Sequence, residues 1–270
     1  MAGSTLASGH ERKVTVLYCG FKITPNRTIE PDNYGDRGTR FLATRAGFEA
    51  TWLPLIDQTD AQKTLDSIRD TRRLIITGSP LSPLLGTDEL ADRVRKVDMH
   101  MLVLEVIKFA AANGIPTLGI CYGHQMIGVN AGAKLERLPR YHFGFEEVHT
   151  TSQGKSSQLF VGLPRNFDVA EHHAFGITDA GSSLVVLANN QQYGFVEAVQ
   201  IPRTNVYGVQ FHPDYHSHDI EGLGRGDLTY YGQYSAEFLA SVGYPDAAKP
   251  HSQDHYRNNC AVLDNFLKIQ

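Results

Sequence analysis

Thr117-Leu-Gly-Ile-Cys-Tyr-Gly-His-Gln-Met-Ile127 decides how this chain is read. An apolar, strand-like run from Ile115 to Ile120 stops at Cys121. Gly119 lies two residues before that cysteine and Gly123 two after, and a helix-like segment begins at once. A side chain carried on so tight a strand-to-helix turn needs small neighbours. The thiol then stands at the end of a strand and at the first turn of a helix. The helix dipole and unpaired N–H groups there favour negative charge on sulfur and can hold a developing oxyanion. A cysteine at a strand end is also an ordinary small core residue, so the elbow needs a second observation.

That observation lies downstream in Val206-Tyr-Gly-Val-Gln-Phe-His-Pro-Asp214, an apolar run ending in His212 with a carboxylate two residues on. A nucleophilic thiol needs a base, and the base needs an orienting group. Cys121, His212 and Asp214 supply the three types, and parallel strands deliver their C-terminal ends to one edge of a sheet.

With both motifs in view, the chain resembles the class I glutamine amidotransferases. That family carries G-[IVL]-C-x-G-[HM]-Q at its nucleophile and G-[VI]-Q-[FY]-H-P-E at its base. The matching residues here are Gly119, Cys121, Gly123, His124 and Gln125, then Gly208, Gln210, Phe211, His212 and Pro213. Leu74-Ile-Ile-Thr-Gly-Ser-Pro80 is similar to the family's S-G-G-P loop. His172-His-Ala-Phe-Gly-Ile177 falls where the family has S-H-G-D or N-H-G-F. The resemblance runs from about residue 13 to 214.

The resemblance implies a flavodoxin-like α/β fold: three layers, a mostly parallel sheet with helices on both faces, and an antiparallel extension. It implies a Cys121–His212–Asp214 triad, an oxyanion hole from the N–H groups of Gly78 and Tyr122, and substrate contacts from Gln125, His172, His173 and Phe175. The implied reaction is cleavage of a γ-glutamyl amide through a thioester on Cys121, without cofactor or metal. His124 is read as packing on the sheet and is left out of catalysis.

Three positions depart from the family pattern. Asp214 stands where Glu is usual and reaches about one methylene less. His172 replaces a small amide or hydroxyl, and Ala174 replaces Gly. The shorter Asp214 bears on the placement of the His212 ring, while His172 and Ala174 favour a different substrate head group or a larger γ-glutamyl conjugate. Gly78-Ser79-Pro80 and the lack of a fused synthetase make the chain similar to stand-alone γ-glutamyl peptidases, with water as acceptor. The alternatives are a glutaminase subunit feeding ammonia to a separate synthetase, a biosynthetic enzyme that reuses the site for a non-glutamine substrate, and a non-catalytic binding protein. No G-x-x-x-x-G-K-[ST] loop is present, so any ATP-driven step belongs to another polypeptide.

Composition agrees with an ordinary globular domain. The 270 residues are 41% hydrophobic and 20% charged, with 25 glycines, a net charge of −4 and a pI near 6.3. Such a balance argues against nucleic acid or a membrane surface as partner. No run reaches the ~18 apolar residues of a spanning helix. Three cysteines, Cys19, Cys121 and Cys260, suit a reducing compartment, and a cytoplasmic location is expected.

Along the chain, residues 1–12 read as a disordered lead and 13–270 as one domain. Strands are predicted at 13–19, 48–55, 73–77 and 115–120, with helices at 34–47 and 88–113. Short strands follow at 134–138, 145–150, 166–170, 183–188, 194–201 and 205–211. Residues 215–253 read as an insertion or lid beside the site, holding a helix at 230–242 and a His216/His218/Asp219 cluster taken as solvated loop. A polar loop, 245–253, precedes a final helix at 259–269.

Overall fold

The computed structural model describes residues 13–20, 22–23, 29–30, 49–79, 90–215 and 253–270. The predicted helix at 34–47, the segment 216–252 with its helix and histidine cluster, and the N-terminal lead lie outside the described residues.

Four short apolar strands build the parallel half of the sheet: β1 (Lys13–Tyr18), β4 (Glu49–Pro54), β5 (Arg73–Ile76) and β6 (Thr117–Ile120). Between β1 and β4 lies a two-stranded ribbon, β2 (Lys22–Ile23) with β3 (Ile29–Glu30). β5 and β6 are buried along their whole length, as continuous apolar runs covered on both faces must be. Side chains alternate between two cores. Leu17, Leu74 and Ile76 pack on one face against helix α2 (Leu90–Ala112) and helix α3 (Tyr122–Ala131). Val16, Ile75, Leu118 and Ile120 pack on the other against the C-terminal helix α5 (Gln253–Phe266), through Val262, Leu263 and Phe266. The result is three layers with helices on both faces, as expected from the resemblance.

Helix α1 (Ala61–Ile68) was not predicted from the sequence. Its N-cap is Asp60, whose side chain accepts from the Lys63 N–H, and only Thr64 and Ile68 are buried along it. Ala61 and Leu65 also pack on the core, so Ala61, Thr64, Leu65 and Ile68 form one inward face of this short helix. α2 is described over Leu90–Ala112, within the helix predicted at 88–113. α5 spans Gln253–Phe266, so it includes residues 253–258 ahead of the helix predicted at 259–269.

Two of the later strands, β7 and β8, are longer than predicted, and five strands stand where six were expected. β7 (Lys134–Thr150) joins two predicted strands into one, crossing Pro139 at an irregularity in its pairing between Arg137 and His142. A short helix α4 (Ser152–Lys155) leads to β8 (Asn166–Asp179), which carries the whole His172–Ile177 segment inside a strand. β9 (Val185–Asn190), β10 (Phe195–Gln200) and β11 (Val206–Val209) complete the sheet. Its order is β4-β1-β5-β6-β11-β10-β8-β7-β9, parallel as far as β11 and antiparallel beyond it. β9 pairs with both β7 and β10, so the antiparallel strands close into a circuit. Among the described residues no helix is long and apolar enough to cross a membrane.

Candidate active site

The elbow forms because its neighbours have no side chains to clash. A Cβ on Gly119 would meet the Gly123 backbone at 2.6 Å, and one on Gly123 would meet the Ile76 carbonyl oxygen at 2.4 Å. The chain therefore turns sharply at Cys121, which takes φ 49° and ψ −99°, a conformation non-glycine residues rarely occupy. Such strain costs of order 1–3 kcal/mol and persists only where surrounding contacts impose it. Here the Cys121 N–H donates to the Val209 carbonyl on β11, and the Cys121 carbonyl accepts the Gln125 N–H, starting α3. The thiol is left at the N-terminus of that helix, beside N–H groups that have no partner within the helix.

β11 runs parallel to β6 with Val209 opposite Ile120. The chain after β11 therefore reaches the same sheet edge as Cys121. The His212 N–H donates to the Ala170 carbonyl of β8, and the Tyr215 N–H donates back to the His212 carbonyl, forming a tight turn. Within it His212 Nδ1 lies 3.1 Å from Asp214 Oδ1, and the Cys121 sulfur is near enough to act on the charge of the ring. Asp214 thus reaches His212 despite its shorter side chain. Burial alone would push the His212 imidazole down. The Asp214 carboxylate and the Cys121 sulfur outweigh burial and hold it up at about 10. His212 is an imidazolium at neutral pH, ready to give a proton.

Gly78 closes the third side. A Cβ there would lie 2.8 Å from His212 Cε1 and 3.6 Å from Cys121 Cβ, so the backbone of the 77–79 turn rests against both residues. Thr77, which no sequence motif singled out, holds that turn. Its hydroxyl donates to the Gly78 carbonyl and accepts the Cys19 N–H, and its own N–H donates to Leu17. Tyr122 follows the cysteine with its ring buried and its hydroxyl 2.7 Å from His100 Nδ1.

The remaining candidates divide between two faces of β8. His172 faces the site: the Cys121 thiol lies 3.9 Å from its carbonyl, and its Nδ1 is 2.8 Å from the Tyr215 hydroxyl. Burial, and after it the neighbouring His212 charge, push the His172 imidazole down to about 3, so it is neutral. His173 faces the opposite way. Its Nε2 lies 3.0 Å from Glu171 Oε2, its Nδ1 bonds the Phe175 carbonyl, and its ring stacks on His142. Gln125, buried on α3, donates to the Phe175 carbonyl at 2.9 Å and to Gln210 Oε1 at 3.3 Å. His124 is buried against Gly208 of β11, and burial pushes it down to about 3.

Behind the site, β7, β8, β9 and β10 bury a polar cluster. His142, Arg140 and Asn190 all bond Glu146, while the carboxyls of Glu171 and Glu197 abut inside the sheet. Burial and the neighbouring carboxylates push both Glu171 and Glu197 well above the usual carboxylate range. Composition held no sign of this cluster, because its members come from four strands: Arg140, His142 and Glu146 from β7, Glu171 from β8, Asn190 from β9 and Glu197 from β10. Among the described residues no group of His, Cys, Asp and Glu is arranged to hold a metal ion.

Comparison with known proteins agrees with this geometry. The family model for glutamine amidotransferase class-I matches residues 45–221. A GMP synthase from Thermosipho melanesiensis is 27% identical over 191 residues, covering 70% of this chain and 33% of the relative. One from Elusimicrobium minutum is 33% identical over 183 residues, covering 67% of this chain and 32% of the relative. Anthranilate synthase component 2 from Saccharolobus solfataricus is 28% identical over 145 residues, covering 54% of this chain and 68% of the relative. The chain thus spans about a third of the length of the GMP synthases it matches. Among solved structures, a glutamine amidotransferase from Thermotoga maritima superposes with a TM-score of 0.63 at 15% identity, covering 96% of this chain and all of that one. The matched span includes the elbow, the Gly78 turn and the His212 turn, and the chain belongs to the class-I glutamine amidotransferase family.

Proposed function

We propose that this protein cleaves a γ-glutamyl amide through a thioester on Cys121. The observation that carries the reading is the strained Cys121 beside a buried His212, which Asp214 orients, with Gly78 abutting both. Sγ attacks the γ-carbonyl carbon, and the C=O electron pair moves onto oxygen. The N–H groups of Gly78 and Tyr122 receive that oxyanion. The intermediate collapses as the C–N bond breaks and the His212 imidazolium gives its proton to the leaving nitrogen. Water then attacks the thioester, His212 takes its proton, and the C–S bond breaks to release glutamate.

Gln125, His172, His173 and Phe175 shape the substrate site in this reading. His172 acts at the thiol's side of β8. Gln125 and His173 act from behind, both bonded to the Phe175 carbonyl. The bulk of His172 favours a γ-glutamyl conjugate over free glutamine, with water as acceptor.

The test is glutamate and amine release from glutamine, glutathione and a series of γ-glutamyl amides, with Cys121→Ala alongside. Release that vanishes in the variant supports the reading, and release that survives it overturns the role of Cys121. A second reading, ammonia delivery to a separate synthetase, is favoured by the relatives named GMP synthase and anthranilate synthase component 2. A co-purifying synthetase whose presence raises glutamine turnover would select it.

A further inference from the structure

A single hydrogen bond fixes one point of an imidazole ring. The 3.1 Å contact from Asp214 Oδ1 to His212 Nδ1 leaves the ring free to tilt about that point, and Asp214 comes from the same short turn as His212. What stops the tilt lies on the ring's face. Tyr215 stacks on His212 with centroids 4.1 Å apart and planes 21° from parallel. Tyr215 is itself fixed, buried with Phe143, Phe145 and Ala170, its hydroxyl 2.8 Å from His172 Nδ1. His172 is held edge-on by Tyr141 and Phe143, at 5.7 and 5.3 Å.

We propose that Tyr215 and His172 are positioning residues that clamp the His212 imidazole against Cys121 and favour its protonated form. The inference rests on the reading of Cys121 and His212 given above. Its physical basis is twofold. The stack supplies the second constraint that a lone hydrogen bond cannot, and misplacement by 1 Å can cost on the order of 100-fold in rate. The negative face of a phenol ring also attracts a cation lying over it. Beside Tyr215, the groups acting on His212 are Asp214, Cys121, Glu171, His172 and His173. Neutral His172 can anchor the phenol without adding a competing positive charge.

The test compares Tyr215→Phe, Tyr215→Leu and His172→Gln with wild type. Two readouts apply: kcat and KM for glutamate release, and the pH profile of Cys121 alkylation by iodoacetamide, resolved from Cys19 and Cys260 by peptide mass. Tyr215→Leu should lower kcat by about 10- to 100-fold with KM within about 3-fold. Its alkaline limb should move down by about half to one pH unit as the imidazolium loses the ring face. Tyr215→Phe keeps the stack and should hold the limb near wild type, with kcat down by about 3-fold from the lost anchor to His172. His172→Gln should match Tyr215→Phe. A folded Tyr215→Leu protein with wild-type kcat and wild-type limb overturns the clamp. Should that variant fail to fold, unchanged kcat in both Tyr215→Phe and His172→Gln overturns it instead. Cys121→Ala separates the two ideas. Hydrolysis that survives it sinks the reading of the site, while the alkylation profile still decides the clamp.

Discussion

Gly78 shows how little room the site has. Its missing side chain is where His212 Cε1 sits, 2.8 Å from the Cβ that Ala would add. Gly78→Ala should displace the imidazole and lower kcat/KM by roughly 100-fold, while the urea midpoint of unfolding moves little. A large loss of stability would show that the turn, not the ring, is what the glycine serves. Asp214 is the second sensitive residue. Its charge is one of the two influences that hold His212 up against burial. The imidazolium is the proton donor in the proposed reaction, so activity should persist through neutrality and fall only as pH approaches about 10. Asp214→Asn removes the charge and keeps the shape, so the alkaline limb of kcat/KM should move to lower pH. A limb that stays in place would mean that Asp214 orients the ring without stabilising its charge. The sequence made these residues legible because their chemistry is written in short, ordered motifs. Tyr215 was not legible, since an aromatic residue following Asp214 has no meaning until its ring is seen over His212.

At the scale of elements, legibility followed periodicity. β1, β5 and β6 are short apolar runs buried on both faces, and each was found within two residues of its observed bounds. β7 and β8 were read as fragments because polar residues interrupt them: Arg140 and His142 in one, Glu171, His172 and His173 in the other. Those residues are paired across the sheet or packed on its inner face, a tertiary fact that no window of sequence contains. The start of α3 packs closely on β5, because Gly123 lies under the Ile76 carbonyl. Backbone cannot move aside as a side chain can. Gly123→Ala should therefore destabilise the protein by about 1–3 kcal/mol, read as a fall in the urea midpoint with an unchanged m-value. Gly132→Ala is the contrast: nothing lies within 4 Å of its Cβ, but its φ of 78° disfavours a side chain. Its cost should be the smaller one of about 1 kcal/mol.

At the scale of the whole molecule, the buried titratable groups set how stability responds to pH. Burial pushes His124 and His172 down to about 3 and His173 to about 4, and pushes His142 down as well. Each stays neutral in the folded protein at pH values where the unfolded chain would take up a proton. Their contribution is complete above about 6.5 and is lost as pH falls toward 4 and 3. Glu171 and Glu197 act in the opposite sense. Burial pushes both up, so the folded state keeps protons that the unfolded state releases above about 4.5, and their contribution is lost as pH rises. His212, held up at about 10, adds to that alkaline loss between about 6.5 and 10. Stability should peak between these limbs and fall on both sides. Glu197→Gln isolates one term, because glutamine mimics the neutral carboxyl and cannot ionise. Thermal unfolding from pH 5 to 9 should show the variant close to wild type at pH 5, with a flatter alkaline decline and a higher midpoint at pH 9. A native Glu197 that is ionised would give the reverse, a variant destabilised throughout with the wild-type slope. The neutral form of Glu197 would then have to be abandoned, and the alkaline decline in stability assigned to Glu171 and His212 instead.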